Sequence, residues 1–195
     1  MSGFNLECLV LKHQNSHEAD RLYTLFSPVR GRFLAYAKGV RKISSRRSGS
    51  LDTLNRVEVF LSESKTGYSY ISEVKVLQSY KYLKSDLTLL KRSLYLLELI
   101  NKAIWEDEGA DDVYNLLLTT LDKFTATTTD LDARSEHIVN KFELELMQLL
   151  GYRPEDKFLL LLKANTQKRL YKNNNGLLKD YVADAVSATF KSLEM

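Results

Sequence analysis

Over residues 5–79 apolar and polar side chains alternate with a period of two, interrupted by turn signals. Residues 5–12 read as a strand, with Leu6, Cys8 and Val10 on one face and Leu9 and Leu11 on the other. Residues 20–27 are rich in aromatic and β-favouring side chains and are punctuated by Ser27-Pro28. A turn containing Gly31 follows, and then Phe33, Ala35 and Ala37 alternate with Leu34, Tyr36 and Lys38 until Gly39. A fourth strand spans 56–63, with Val57, Val59 and Leu61 opposite Arg56, Glu58 and Phe60. Thr66-Gly67 predicts a turn, and residues 69–79 predict a fifth strand carrying Tyr70, Val74 and Val76 on one face.

The period changes after Lys84. Leu87, Leu90, Leu94, Leu97, Ile100 and Ile104 recur at three- and four-residue steps, which predicts a helix, with Ser85 or Asp86 as its N-cap. An acidic break at 106–112 separates it from a second helix that turns Val113, Leu116, Leu117, Leu121 and Phe124 inward. Residues 125–132 read as a loop. A third helix is predicted from about Arg134 to Leu150, with Ile138, Phe142, Leu146 and Leu149 as its stripe, Gly151 as its stop and Pro154 just beyond. Further on, the apolar run 158–162 fits strand or helix, 173–176 a turn, and 178–194 a helix.

Five short strands without an intervening helical period suit a barrel, because closure removes exposed sheet edges. The fold class predicted is α+β: an N-terminal five-stranded OB-type β-barrel over residues 1–82, followed by an all-helical domain over 83–195. An SH3-like barrel has a similar strand count, and periodicity does not separate the two.

Composition sharpens this outline. Of 195 residues only 8 are Gly and 2 are Pro, so little of the length is available for flexible linkers. The single cysteine, Cys8, excludes an internal disulfide framework and a cysteine-based zinc site. A reducing cytosol is the expected setting. No stretch reaches the roughly 18 apolar residues of a membrane span, and the first residues show no basic-then-apolar signal pattern. The net charge of +3 conceals a division: residues 1–82 hold 13 Lys/Arg and 7 Asp/Glu, whereas 83–195 hold 15 and 18. Residues 21–51 carry eight cations and no acid, which points to a polyanion partner for the barrel.

The most informative stretch is 38–50, with Lys38, Arg41, Lys42, Arg46 and Arg47 interleaved with serines and glycines directly after a strand. Arg and Lys reach phosphate oxygens, and hydroxyls and loop N–H groups add hydrogen bonds that fix a backbone without reading its sequence. Tyr23, Phe26, Phe33 and Tyr36 precede it. Phe26 and Phe33 are assigned to the core, and Tyr36, sharing a face with Lys38, is the candidate for base stacking.

Catalytic chemistry finds little to build on. There is no Gly-rich phosphate loop ending in Lys-Ser/Thr and no dinucleotide fingerprint. His13 and His17 lack further ligands at zinc spacing. Glu18 and Asp20 sit beside Arg21 and read as an ion pair, Cys8 as a buried side chain, and Trp105 as packing. No cofactor and no metal are expected.

Taken together, His17-Glu18-Ala19-Asp20-Arg21, the Gly31 turn with its arginines, Ala37-Lys38-Gly39-Val40-Arg41-Lys42 and Ser45-Arg46-Arg47 resemble the opening of the bacterial DNA-repair mediator family RecO. Ile71-Ser72-Glu73-Val74, Leu97-Glu98-Leu99, Phe142-Glu143-Leu144 and the run from Leu149 to Pro154 are similar to later landmarks of that family. The resemblance implies an N-terminal OB fold, a helical C-terminal domain and binding of single- and double-stranded DNA. It further implies strand annealing, loading of RecA, cooperation with RecR, and contact with the C-terminal tail of the single-stranded-DNA-binding protein, in a nucleoid-associated cytoplasmic setting. Many relatives carry a four-cysteine zinc module after the position of Pro154. This sequence has no cysteine there, so zinc is not expected.

The expected DNA-binding residues are Arg30, Arg32, Tyr36, Lys38, Arg41, Lys42, Arg46 and Arg47. Two alternatives stay open on the residues alone: an RNA-binding OB module, and an adaptor whose basic loop docks an acidic protein tail.

Overall fold

The computed structural model describes residues 3–43, 45, 47–65, 67–127, 130–152 and 178–184. The expectations placed on Arg46, Pro154, 158–162 and 173–176 lie outside them. The elements run β1 (Gly3–Ser16), β2 (Asp20–Ser27), β3 (Gly31–Ala37), α1 (Arg47–Ser50), β4 (Arg56–Glu63), β5 (Ser69–Gln78), α2 (Lys81–Ser85), α3 (Leu87–Ala103), α4 (Asp111–Ala126) and α5 (Leu131–Leu149).

The five strands close into a barrel in the order β1-β2-β3-β5-β4, with β1 and β4 pairing to complete the circuit. Every pairing is antiparallel except that between β3 and β5, where Ala35 faces Ser69 and Tyr36 faces Tyr70 in parallel. This parallel seam, with a helix inserted between β3 and β4, is the OB arrangement, and it settles what periodicity left open. The barrel core takes one face of each alternating strand: Cys8 and Val10, Phe33, Ala35 and Ala37, then Val57, Val59 and Leu61; Tyr23, Leu25, Ile71 and the loop residues Val40 and Leu51, to which alternation gave no inward place, join them.

Two expectations about the strands change. Tyr70 does not share a face with Val74: a register shift between Phe60 and Leu61 leaves Ser72 as an extra residue in β5, so Ile71 and Val74 point inward and Tyr70 outward. Phe26 is fully buried, though outside the barrel core, edge-on to Tyr114 at 5.4 Å.

The chain divides into two compact units, one comprising Met1–Lys81 with Ile104–Tyr114, the other Tyr82–Ala103 with Asn115–Met195. In the second, α3 begins as anticipated, with Asp86 Oδ1 accepting the Leu89 N–H at 2.9 Å. Its buried face differs from the predicted stripe: Leu89, Leu96, Leu97 and Ile100 are inside, while Leu87 and Leu94 are exposed and Ile104 lies beyond the helix end. Leucines surround α3 on nearly every side, so the face taken inward is decided by its partners. In α5 the buried stripe is Val139, Phe142, Leu146 and Met147, with Leu149 exposed. Gly151, at φ +84°, closes α5: its N–H reaches Gln148 O and the Tyr152 N–H reaches Met147 O, both orphan carbonyls of the last turn. One buried carboxyl interrupts the apolar interior. Glu143 accepts a hydrogen bond from Tyr95 Oη, and burial pushes its pKa above the usual carboxylate range.

Candidate nucleic-acid interface

The basic segment leaves β3 through a turn at residues 38–40. Gly39 adopts φ +66°, and its N–H donates to Asp20 Oδ1 at 2.7 Å, so the acid beside Arg21 anchors the turn. Val40 plugs the barrel core and is fully buried. The Arg41 N–H bonds Ala19 O at 3.0 Å, and its guanidinium donates to Glu18 O at 3.0 Å, joining the segment to the β1–β2 connection. Two further turns, Lys42 N–H to Gly39 O and Ser45 N–H to Lys42 O, hold Lys42 and the fully exposed Ile43 outward. Arg47 closes the segment from the other side. Its guanidinium donates to Ile71 O at 2.8 Å, Ser72 O at 3.3 Å and Lys38 O at 2.7 Å, sewing the start of α1 to β5.

The expected DNA-binding cations that the structure describes therefore fall into three groups. Lys38, Arg41 and Lys42 are exposed, and among the described residues none is paired with a carboxylate. Arg47 braces main-chain carbonyls. Arg30 and Arg32 are engaged elsewhere, by the acidic segment that sequence placed between two helices. Arg30 pairs with Asp107 through Nε and with Glu63 at 3.3 Å, donates to Ser69 Oγ at 3.0 Å, and lies 4.7 Å over the Phe33 ring. Arg32 pairs with Glu106 at 2.8 Å and donates to Ile104 O at 3.1 Å. Their side chains retain 21% and 19% of their exposure, with each guanidinium already paired with a carboxylate.

Residues 104–110 form an acidic strap fastened to the barrel by main-chain bonds. The Asp107 N–H reaches Arg32 O at 2.9 Å and the Ala110 N–H reaches Pro28 O at 3.0 Å. The approach is close enough to require glycine: a Cβ on Gly31, at φ +63°, would lie 1.9 Å from Glu108 O. Behind the strap, Tyr114 Oη donates to Glu7, which also binds Arg56 at 2.8 Å. Burial and that carboxylate hold the Tyr114 phenol well above its ordinary pKa.

Sequence missed two neighbours of Tyr36. Closure of the barrel sets Tyr70 beside it across the parallel seam, with ring centroids 5.9 Å apart, and Tyr68 meets it edge-on at 5.7 Å. Lys38 Nζ stands 4.6 Å over the Tyr70 ring. The only available signal was the run Tyr68-Ser69-Tyr70 after a glycine turn; its proximity to Tyr36 depends on strand order.

The chemistry-bearing residues are not gathered. Among the described residues no three His, Cys, Asp or Glu side chains could hold a metal ion. Cys8 is buried, and burial pushes its thiol up, away from the reactive thiolate. His13 packs against Tyr23, and His17 shares a hydrogen bond with Ser16. No helix in the described residues is long and apolar enough to cross a membrane.

Residues 1–80 match the family profile described as Recombination protein O N terminal, and residues 84–157 match Recombination protein O C terminal. The chain is similar to the DNA repair protein RecO of Dehalococcoides mccartyi, at 29% identity over 88% of this chain and 64% of that protein. It is also similar to RecO of Acetivibrio thermocellus, at 30% over 75% and 56%, and of Heliobacterium modesticaldum, at 31% over 80% and 54%. The chain thus spans between half and two thirds of the length of these relatives.

Proposed function

The chain belongs to the RecO family over residues 1–80 and 84–157, and from that membership we propose that it is a DNA-binding mediator of recombinational repair, with no catalytic step of its own. Lys38, Arg41 and Lys42 hold the phosphate backbone of single- and double-stranded DNA, Arg46 and Arg47 add to the same field, and Tyr36 lies beside the track. Arg30 and Arg32 contribute charge at longer range while fastening the acidic strap. Two complementary strands held in this way, with phosphates screened and bases accessible, anneal without side-chain chemistry. Helping RecA onto DNA, together with RecR and the C-terminal tail of the single-stranded-DNA-binding protein, belongs to the same reading. The helical unit is assigned to those protein contacts.

The observation that carries the proposal is the braced turn. Asp20, Arg41 and Arg47 fix the segment at both ends, so three cations are presented outward with little ordering left to occur on binding. A solvated, unbraced loop would lack that preorganisation. The test is fluorescence anisotropy of a labelled single strand at several salt concentrations, beside matched duplex and RNA. Salt-sensitive binding without sequence preference is expected, with a log–log slope of about −0.7 for each phosphate neutralised on a single strand. No binding at low salt would overturn the reading and favour an adaptor for an acidic protein tail. A strong preference for RNA would move the site to RNA handling.

A further inference from the structure

The parallel seam and the β4–β5 turn together build a feature that phosphate binding does not use. Tyr36 and Tyr70 alternate along their strands with inward Ala35, Ala37 and Ile71, so both rings lie on the outer wall of the barrel. Tyr68 is tied to Ser64 by two hydrogen bonds, Ser64 N–H to Tyr68 O at 2.9 Å and Tyr68 N–H to Ser64 Oγ at 3.1 Å, beside the turn bond from Gly67 N–H to Ser64 O at 3.0 Å. Even so, Tyr68 remains 55% exposed, although tyrosines that serve packing bury most of their ring. It meets Tyr36 at an interplanar angle of 82°, and Tyr70 lies against Tyr36 at 32°. A cation, Lys38, completes the cluster.

We propose that Tyr36, Tyr68 and Tyr70 form a stacking platform for unpaired bases, and that this platform, not the cationic turn, makes the protein favour single-stranded DNA over duplex. The inference rests on the reading of the turn as a phosphate site and deepens it. Phosphates are available on single and double strands alike, so Lys38, Arg41 and Lys42 do not tell the two apart. Bases inside a duplex already stack on one another, whereas an unpaired base has free faces, and aromatic side chains accept them whatever the sequence. Lys38 sits where a backbone leaving the platform meets the turn. Tyr68 receives a base, and Tyr36 and Tyr70 fix the orientation of its ring from the side.

The experiment compares wild type, Tyr68→Ala and Tyr68→Phe by anisotropy on three probes of equal length: a mixed-sequence single strand, its duplex, and an abasic single strand with the same phosphate count. Tyr68→Ala is expected to weaken single-strand binding by about 5- to 150-fold, the range for losing one base–aromatic stack, and to leave duplex and abasic binding unchanged. Tyr68→Phe keeps the ring and is expected to bind as wild type. Wild type itself is expected to bind the abasic strand about as weakly as Tyr68→Ala binds the intact one, a comparison that needs no variant to fold. Equal single-strand affinity for Tyr68→Ala and wild type would overturn the platform. So would a parallel fall in single-strand and duplex binding, or tight wild-type binding of the abasic strand. In those three cases the phosphate site stands; only a wild type that binds neither single strand nor duplex removes both.

Discussion

Two groups of cations lie within twenty residues of one another and differ in what surrounds them. Lys38, Arg41 and Lys42 stand on a braced turn with no carboxylate partner among the described residues. Arg30 and Arg32 flank Gly31 on the β2–β3 turn and are held by Glu63, Asp107 and Glu106. In sequence the two groups look alike, as basic residues beside a glycine at a strand end. The difference teaches that a local charge count measures the field a segment contributes, while availability for a ligand depends on residues far along the chain.

The contrast can be broken by exchanging charge. Replacing Lys38, Arg41 and Lys42 together by Glu is expected to lower single-strand affinity on the order of 100-fold or more at low salt, uniformly across sequences. The salt slope should become shallower by about 2, three contacts at about 0.7 each. A slope that did not move would place the phosphate contacts elsewhere.

Gly31→Ala acts on the other group. The left-handed backbone and the contact with Glu108 O predict a loss of about 2–3 kcal/mol in denaturant unfolding, with the strap displaced. If stability is unchanged, the strap is not fastened as described. Smaller again is the Arg30→Ala, Arg32→Ala pair. Ion pairs that keep some exposure contribute about 0–1 kcal/mol each, so the pair should cost roughly 1–2 kcal/mol of stability. The salt slope should stay close to wild type, because neither guanidinium is free for phosphate; a slope shallower by more than 1 would return both to the interface. The smallest effect is expected for Arg47→Lys. A lysine keeps the charge and loses the planar fork that reaches three carbonyls, so about 1 kcal/mol of stability and a few-fold of affinity should go, with the slope retained.

Much of this was legible from residue order, for physical reasons. Alternation located all five strands, and the residues sharing a face in β3 and β4 were grouped correctly because those strands are regular. In β5 the same rule failed at Tyr70, since one extra residue inverts every face beyond it. Asp86 and Gly151 announced helix ends through chemistry confined to a few neighbours. The OB order was not legible from periodicity, which left an SH3-like barrel open; the resemblance to RecO implied the OB fold, and the pairing of Tyr36 with Tyr70 that defines it came only with the structure. The buried face of α3 was misjudged because leucines on several sides leave the choice to tertiary packing. Among the candidate site residues, the turn from Lys38 to Lys42 was visible as a cluster of charge. The engagement of Arg30 by Glu63 and Asp107 and of Arg32 by Glu106, acids distant along the chain, was not, and neither was the grouping of the tyrosines.

The seam between β3 and β5 also has a kinetic side. It is a two-pair parallel junction joining segments more than thirty residues apart, whereas β1–β2, β2–β3 and β4–β5 zip from local connections. Closing the long loop delays such a contact in folding, and a short ladder opens most readily afterwards. By this argument the seam where Tyr36 and Tyr70 meet is expected to be the first part of the barrel to open, and a strand lying across both would act as its clasp. Amide exchange at residues 35–36 and 69–71 should therefore slow when DNA is bound, more than at any other junction of the sheet.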